Sequence, residues 1–330
     1  MEYRGPDDDF RSFSKWSIRK ITFIAILIAI SVAFFLIVFQ LMPIVSLPAY
    51  KISIIGLPIK ITGFIFGPVI GAFVGLVSDL FSFALVPTYY NFYFTIAAML
   101  DGIIPGMISW VFLRLIRFLF GGKFRDTLIT EKIERILKKI DKLSLDAVDN
   151  QKNIRKLENK VISLYVAQNS KHKLAKRTSV LMNINMFACI SILVTVIMLV
   201  TYIVGYKVDN VTIQKGIVPN RIALIIMMVS GYLAMLVFIL IARFKLNSKL
   251  YLIIVPIVVF SALIELFNVP ILSFAEKQSI ETSNSEGSLF VYMFQHIVLS
   301  PVKIWGNMFI IFFTYKIIAP SIYKNRNITY

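Results

Sequence analysis

Long uninterrupted runs of apolar residues constrain this chain more than any other feature of its sequence. Runs near or above 18 residues cover 20–42, 93–119, 180–204, 219–242, 250–274 and 290–318. A helix needs about 20 such residues to cross the ~30 Å hydrocarbon core of a bilayer. Apolar residues make up 58% of the chain, far above the share in a soluble protein. The runs predict an all-α integral membrane protein.

A further apolar run, residues 53–86, is too long for one crossing. As a single helix its ~34 residues would measure ~50 Å, and Gly67 and Pro68 interrupt it near the middle. Both residue types are unfavourable inside a helix. We interpret the pair as a tight turn between two short spans, which gives about eight transmembrane helices.

The distribution of Lys and Arg predicts a multi-pass protein of the cell membrane with both termini in the cytoplasm. Fifteen basic residues lie between 121 and 178, on the inner side. The outer segments hold only Lys51, Lys207, Lys215 and Lys277. The first run has no small-residue cleavage site after it, so we expect an uncleaved helix. The net charge of +17 follows this distribution and favours anionic lipid headgroups, not nucleic acid, as a partner.

The segment 121–178 carries a heptad pattern. From Ile129 to Leu164, apolar residues and Asn150 recur at alternating spacings of four and three. This predicts one long helix with a single apolar seam, in which Asn150 would set the register of a coiled coil. Such a helix can lie on lipid headgroups or pair through 129–164 with another chain. The pattern alone leaves both open.

Small residues four apart mark the first three predicted spans. In lipid, helices associate by close van der Waals contact, and such spacing opens a groove for a neighbouring backbone. One series of this kind indicates helix packing around the turn at Pro68: Gly63, Gly67, Gly71 and Gly75. The other forms a smooth stripe on the first span: Ala25, Ala29 and Ala33.

Several motifs then follow one another in order between the second and fourth spans. They are Leu57-Pro58, Gly67-Pro68, Gly71-xxx-Gly75-xxx-Asp79, and an aromatic loop from Tyr90 to Phe94 that ends on Thr95. This order resembles the S-component, the substrate-binding membrane subunit, of energy-coupling factor (ECF) vitamin importers. The resemblance is closest to the folate-specific branch. It covers 20–119 and, more faintly, 250–318.

The resemblance implies a subunit that captures a vitamin and delivers it through a transmembrane coupling protein and two ABC ATPases. The alanine stripe of the first span would be its docking surface. The chain itself has no G-x-x-x-x-G-K-[ST] phosphate loop, the nearest approach being "FGGKF" at 120–124. The family's proline-glycine before Phe-Thr is replaced here by Phe92 and Tyr93, which leaves the exact ligand open.

The chain is also longer than the usual six-helix subunit, and we attribute the excess to an insertion at about 121–249. The resulting segments are a cytoplasmic tail (1–19), core helices 1–4 (20–120), the heptad-patterned loop (121–178), an inserted transmembrane hairpin (179–249), core helices 5–6 (250–320) and a second cytoplasmic tail (321–330).

Ionisable residues inside membrane spans usually face a cavity or a partner, because an unpaired charge there is costly. A folate-type ligand needs stacking faces, acceptors for its pteridine N–H groups and cations for its carboxylate tail. Asp101 or Glu265 would accept, and Lys60 or Lys303 would bind the tail. The candidate substrate-binding residues are Lys60, Tyr90, Asn91, Phe92, Phe94, Thr95, Asp101, Glu265, Asn268, His296 and Lys303.

Other interpretations stay open at these positions. The aromatic residues can form an interfacial belt, Asp79 and Asp101 can pair with the lysines, and Asn268 can satisfy backbone freed by Pro270. A related subunit for riboflavin, pantothenate, thiamine or a queuosine precursor is an alternative, as is a proton-coupled carrier that uses Asp79 or Asp101. A structural scaffold acting through the coiled coil is another. An intramembrane aspartyl enzyme would need sequence context that is missing, and we expect no catalytic, metal or cofactor site.

Overall fold

The structure is a computed structural model that describes residues 18–41, 56–85, 91–144, 147–169, 171–214, 218–280 and 289–323. Within these ranges it is helical throughout its regular elements and contains no strand. The α-helices are α1 (Ile18–Leu41), α2 (Leu57–Phe66), α3 (Pro68–Leu85), α4 (Phe92–Ser109), α5 (Arg117–Phe120), α6 (Lys123–Ser144), α7 (Ala147–Asn169), α8 (Lys171–Tyr202), α9 (Asn210–Gln214), α10 (Arg221–Lys245), α11 (Ser248–Ile280) and α12 (Leu289–Tyr323). Two π-helical segments, Trp110–Ile116 and Ile203–Lys207, extend α4 and α8. The all-α prediction is confirmed.

Among the described residues, five helical segments are long and apolar enough to cross a membrane. They are Pro68–Leu85, Phe92–Phe120, Arg177–Lys207, Arg221–Lys245 and Ser248–Gln278. Shorter apolar helices cover Ile21–Ile37 and Leu57–Phe66, and α12 lies at the position of the last predicted span. The protein is therefore a multi-pass membrane protein. Its orientation and the total of eight crossings stay predictions.

The turn at Gly67 and Pro68 separates α2 from α3 where the sequence predicts it. Gly67 has a φ of 104°, a left-handed conformation that a residue without Cβ adopts at little cost. However, α2 has ten residues and is about 15 Å long, half of the hydrocarbon thickness. It is shorter than the span that we predicted. All ten of its residues are buried, so its end lies within protein and not in lipid.

The helices α4 and α11 form the centre of the protein. Helix α4 packs against α2, α3 and α11, and α11 also packs against α8 and α12. Residues 257–260 of α11 are fully buried, and two thirds of its spanning segment is buried, against 28% for α8 and α10. The centre therefore brings together α2, α4, α11 and α12, which carry most of the candidate site residues.

The helices α8 and α10 form a hairpin at the edge of this centre. Along its length α8 packs against α10 and α11, and α10 also packs against α12. Arg221, at the start of α10, donates hydrogen bonds to the carbonyl oxygens of Gly205 and Val208 and to Asn210 Oδ1. This side chain satisfies carbonyl groups where α8 ends, which fixes the connection between the two helices.

The heptad segment forms two helices and not one. The first, α6, ends at Ser144, the second, α7, begins at Ala147, and the two pack against each other. Gln168 Nε2 donates to Thr130 Oγ1 over 3.5 Å, although a continuous helix would hold these residues more than 50 Å apart. Ile133 and Val161 are buried between the helices. The prediction of one long helix is therefore wrong. The apolar seam residues of α6 pack against those of α7. The side chain of Asn150 lies outside the described residues.

Candidate substrate site

Glycines bring the backbones of α2, α3 and α4 into direct contact. A Cβ added to Gly63 would lie 2.0 Å from the carbonyl oxygen of Gly102, and one added to Gly71 would lie 2.4 Å from the same oxygen. A Cβ on Gly75 would lie 2.3 Å from the carbonyl oxygen of Ala98. These contacts are to backbone atoms, which cannot rotate away. The structure thus places the glycine series at a crossing inside the chain, with α4 as its partner.

Asp101 on α4 is the centre of one buried polar group. Its Oδ2 lies 3.3 Å from Lys60 Nζ of α2, and its Oδ1 accepts a 2.7 Å hydrogen bond from Asn268 Nδ2 of α11. All three side chains are buried. A Cβ added to Gly56 would lie 2.2 Å from Asp101 Oδ2, so the carboxylate fits there only because residue 56 has no side chain. The group joins three helices through one charge pair and one amide.

The amide of Asn268 has a fixed orientation. Its Nδ2 donates to Asp101 Oδ1 and to the carbonyl oxygen of Ala97, 3.2 Å away. Both of these atoms are acceptors in an ionised site, so the amide nitrogen must face them. The Oδ1 atom is then left buried with no hydrogen-bond donor in the described part of the chain. Asn268 bonds to α4 and not to backbone freed by Pro270.

Glu265 is the centre of a second buried polar group, one turn before Asn268 on α11. Its Oε1 lies 3.0 Å from Lys303 Nζ of α12, and its Oε2 accepts a 2.6 Å hydrogen bond from Ser300 Oγ. Both charged side chains are about 7% exposed. Residues three apart on a helix share a face, so the two polar groups are neighbours.

A small cavity lies between the two groups. Lys60 and Glu265 line it, together with Phe260, Ser261 and Asn307. Its volume is about 10 Å³, which is enough for roughly one water molecule, whereas pockets for drug-sized molecules measure about 300–1,000 Å³. In this closed arrangement the helices must move apart before a vitamin can fit.

The aromatic loop contacts the end of α11 and does not line this cavity. Asn91 Oδ1 accepts from the Tyr93 N–H, and its Nδ2 donates to the Ala275 carbonyl oxygen and to Gln278 Oε1, each 3.2 Å away. The Tyr93 ring meets that of Phe274 edge to face at 4.8 Å.

The neighbouring aromatic residues are also away from the cavity. Phe92 is 63% exposed, Phe94 is half-buried, and Tyr90 lies outside the described residues. Among the loop residues that the structure describes, none faces the cavity. The expected stacking contacts are thus not formed in this arrangement.

The remaining candidates are paired elsewhere. Thr95 Oγ1 donates to Asp79 Oδ2 over 2.6 Å, so Asp79 binds a hydroxyl and neither lysine. His296 Nε2 lies 3.1 Å from both carboxylate oxygens of Glu276. Asp79 and Asp101 each have a different partner, so they do not form the proton-sharing carboxylate pair that an aspartyl enzyme requires.

Some residues of this region escaped the sequence prediction. One of them is Glu276, which is buried because α11 continues to Ile280. Gly102 was overlooked although Ala98, Gly102 and Gly106 are four residues apart, the same signal that identified the series on α2 and α3. Ser300 carried no recognisable signal, because a lone serine in an apolar run is common.

The alanine stripe of α1 is uncovered. Ala25, Ala29 and Ala33 are all exposed, whereas Ile24 and Leu27 on the other face are buried against the protein. The helix packs against α2 and α3 through that buried face. A smooth surface of small side chains is thus open to lipid or to another protein.

Residues 19–130 match the family model described as "ECF transporter, substrate-specific component". This region contains α1–α4, the glycine crossing, Lys60, Asp101 and the alanine stripe. This part of the chain is therefore similar to the S-components of ECF transporters. No curated protein and no solved structure matches the chain.

The matched family has a known general role, which this similarity suggests for the chain. S-components are substrate-specific membrane subunits that work with a coupling transmembrane protein and ATPases, and the family is not an enzyme family. The match ends at residue 130. The resemblance of 250–318 to the last two S-component helices therefore stays a prediction, as do all the predicted segment boundaries.

Proposed function

We propose that this S-component binds a folate-type vitamin between α2 and α4 on one side and α11 and α12 on the other. The observation that supports this proposal is the presence of two buried cation–carboxylate pairs, each of which contributes one residue, Lys60 or Glu265, to the lining of a small cavity. Buried charges in a membrane protein are costly, and the residues that carry them usually belong to a functional site. Folate needs both kinds of charge, because it has N–H donors at one end and carboxylates at the other.

Each polar group has a defined task in this proposal. Asp101 and the free Oδ1 of Asn268 accept hydrogen bonds from the amino and ring N–H groups of the pteridine, since two adjacent acceptors match two adjacent donors. Lys303 and Lys60 meet the carboxylates of the tail by charge-assisted hydrogen bonds. Glu265 keeps Lys303 in position through its 3.0 Å contact. The aromatic loop covers the ligand from the outer side after the helices separate.

Delivery depends on the uncovered stripe of α1. We propose that Ala25, Ala29 and Ala33 dock against the coupling protein, with both chain termini in the cytoplasm. Replacing Ala25 and Ala29 with leucine adds bulk to this surface without reaching the buried face. Such a variant is expected to bind ligand normally and to lose uptake when co-reconstituted with the coupling protein and ATPases. Uptake at the unaltered rate would remove the docking role.

The decisive experiment identifies what the protein binds. Purified protein is analysed by mass spectrometry for a co-purifying compound, and folic acid is titrated by calorimetry. The variants Asp101→Asn and Lys303→Met are expected to weaken binding by roughly 10- to 100-fold, the cost of one hydrogen bond to a charged group. Asp79→Asn is the matched control, because Asp79 is bonded to Thr95 away from the cavity.

Different outcomes separate the alternatives. Recovery of a flavin or another non-pterin vitamin, with no folate binding, would reject the substrate and keep the family assignment. Accumulation of substrate by the isolated protein in sealed liposomes, driven by a proton gradient, would instead establish a secondary carrier. A protein that binds no small molecule would favour a scaffold.

A further inference from the structure

The hairpin of α6 and α7 has two faces of different chemistry. Its apolar seam consists of the heptad positions between Ile129 and Leu164, and every described side chain of the seam is buried or half-buried. The Gln168–Thr130 hydrogen bond shows that the helices are antiparallel. In an antiparallel pair, the residues directly after each seam position lie on one side of the hairpin in both helices. The residues directly before each seam position lie on the opposite side.

On one side of the hairpin, all the charged side chains that the structure describes are basic. Among the side chains that the structure describes there, six are basic and none is acidic, and all six are exposed. We call this side the basic face: Lys132, Arg135, Lys139, Lys142, Lys156 and Lys160. Leu128, which is 49% exposed, continues the same face toward the end of α6 that adjoins the membrane helices.

The other side of the hairpin is acidic and apolar. Its exposed charged residues are three carboxylates and one cation: Glu134, Asp141, Glu158 and Arg155. Its exposed apolar residues are Leu137, Ile162 and Tyr165. Among the described side chains, the two sides of the hairpin therefore differ in charge, which the net charge of the segment does not reveal.

The hairpin is held close to the ends of two membrane helices. The chain turns at Gly122, where φ is +98°, and the Phe118 and Phe124 rings meet edge to face across this turn at 5.7 Å. Arg177, at the first residue of the next spanning segment, donates a 3.0 Å hydrogen bond from Nη1 to Asp126 Oδ2, and the same nitrogen lies 3.0 Å from Asp126 Oδ1. Both ends of the hairpin are thus attached at the membrane boundary, and its local concentration at the bilayer surface is high.

We propose that the hairpin lies on the cytoplasmic leaflet with its basic face against anionic lipid headgroups and its acidic, apolar face toward the cytoplasm. The proposal rests on the predicted inside location of 121–178, but not on the identity of the ligand. Basic residues beside a membrane span are attracted to the anionic lipids of the inner leaflet. Leu128 then reaches the interface, and the opposite face stays open to proteins.

Two adjacent residues allow a matched test. Ser163 is exposed on the side of the basic face and Ile162 on the opposite side, at the same height on α7. The single natural cysteine, Cys189, is buried and can be replaced by serine. In that background, Ser163→Cys and Ile162→Cys each receive a fluorescent label, and quenching by doxyl-labelled lipids is measured in vesicles of phosphatidylcholine with or without phosphatidylglycerol.

We expect lipid quenching of the label at 163 in anionic vesicles, and loss of that quenching in pure phosphatidylcholine or at 0.5 M salt. The label at 162 should stay unquenched in every condition. Each lysine near an anionic surface shifts the contact equilibrium about fivefold. Lys139→Gln with Lys156→Gln should therefore lower contact about 25-fold, whereas the matched pair Lys138→Gln with Arg155→Gln, outside the basic face, should not.

Three results would overturn the proposal. Quenching at 162 and not at 163 would mean that the apolar face contacts the lipid. Equal quenching at 163 with and without anionic lipid would mean that charge is not responsible. No quenching at either position, with protection of 163 only after the coupling protein and ATPases are added, would assign the basic face to a protein partner.

Discussion

A methyl group added at Gly102 tests whether the backbones of α2, α3 and α4 are in contact. In Gly102→Ala the new Cβ would lie 2.1 Å from the carbonyl oxygen of Gly71 and 2.2 Å from its carbonyl carbon. Ordinary contact begins at 3.4 Å, so α3 and α4 must separate by about 1 Å or more. Both atoms belong to the backbone, and no rotamer change can relieve the overlap.

The expected loss of stability follows from two opposing terms. Overpacking a close contact costs about 1–3 kcal/mol, and the rigid backbone neighbours of Gly102 place this site at the upper end. Alanine is favoured over glycine in a helix by about 1 kcal/mol. The net loss is therefore about 2 kcal/mol, and the altered crossing should also weaken ligand binding, because Asp101 is the adjacent residue.

The chain offers a matched control for this substitution. Gly306 lies in α12, and an added Cβ would meet no described atom within 4 Å beyond its chain neighbours and its own helix backbone, so Gly306→Ala should be neutral or stabilising by up to about 1 kcal/mol. Thermal unfolding in detergent would compare the two variants, with circular dichroism as the signal. If Gly102→Ala unfolds at the same temperature as Gly306→Ala, the close crossing is refuted.

Two other predictions concern buried and cytoplasmic charge pairs. Lys60→Met leaves Asp101 as an unpaired buried charge and should lower the free energy of unfolding by about 3–5 kcal/mol. The double variant Lys60→Met with Asp101→Asn should recover part of this loss, because it removes the unpaired charge as well. A double variant no more stable than the single one would contradict the pairing. Arg177→Gln should release the base of the α6–α7 hairpin and speed limited proteolysis between 121 and 178. The control Arg243→Gln removes contacts within the α8–α10 hairpin and should not speed this cleavage. Equal cleavage of both variants would contradict the anchoring of the α6–α7 hairpin by Arg177.

The helices of this protein could be located from its sequence, because hydropathy and length are the physical requirements for crossing a bilayer. The break at Gly67 and Pro68 was also predictable, since only a few residues allow such a turn. The sequence did not reveal that α2 is only about half as long as the hydrocarbon core is thick. That length depends on burial of its end by α4 and α12, which are distant in the chain.

The fold-back of α6 and α7 shows a different limit. A heptad seam of five repeats is the same whether one helix pairs with another chain or two halves pair with each other. The junction at 145–146 contains neither Gly nor Pro, so no helix breaker marks it. The charge pairs of the site were equally ambiguous, because spacing gives no reason for Lys60 to choose Asp101 and for Lys303 to choose Glu265.

The way in which these charges are paired bears on how the site can open. Lys60 and Asp101 both lie in the region 19–130, and Glu265 and Lys303 both lie in α11 and α12. Neither charge pair therefore spans the boundary between the two regions. Asn268 does span it, through its hydrogen bonds to Asp101 and to the Ala97 carbonyl oxygen.

Separation of α4 from α11 consequently breaks the two Asn268 hydrogen bonds and those of Asn91 to Ala275 and Gln278, but it leaves both charge pairs intact. Such bonds contribute about 1–3 kcal/mol each, whereas splitting a buried charge pair costs about 3–5 kcal/mol. A ligand that donates hydrogen bonds to Asp101 and Asn268 replaces the interaction lost on opening. Opening between these regions thus avoids the cost of splitting a charge pair, and Lys60 and Glu265, the two charged residues that line the cavity, lie on opposite sides of this boundary.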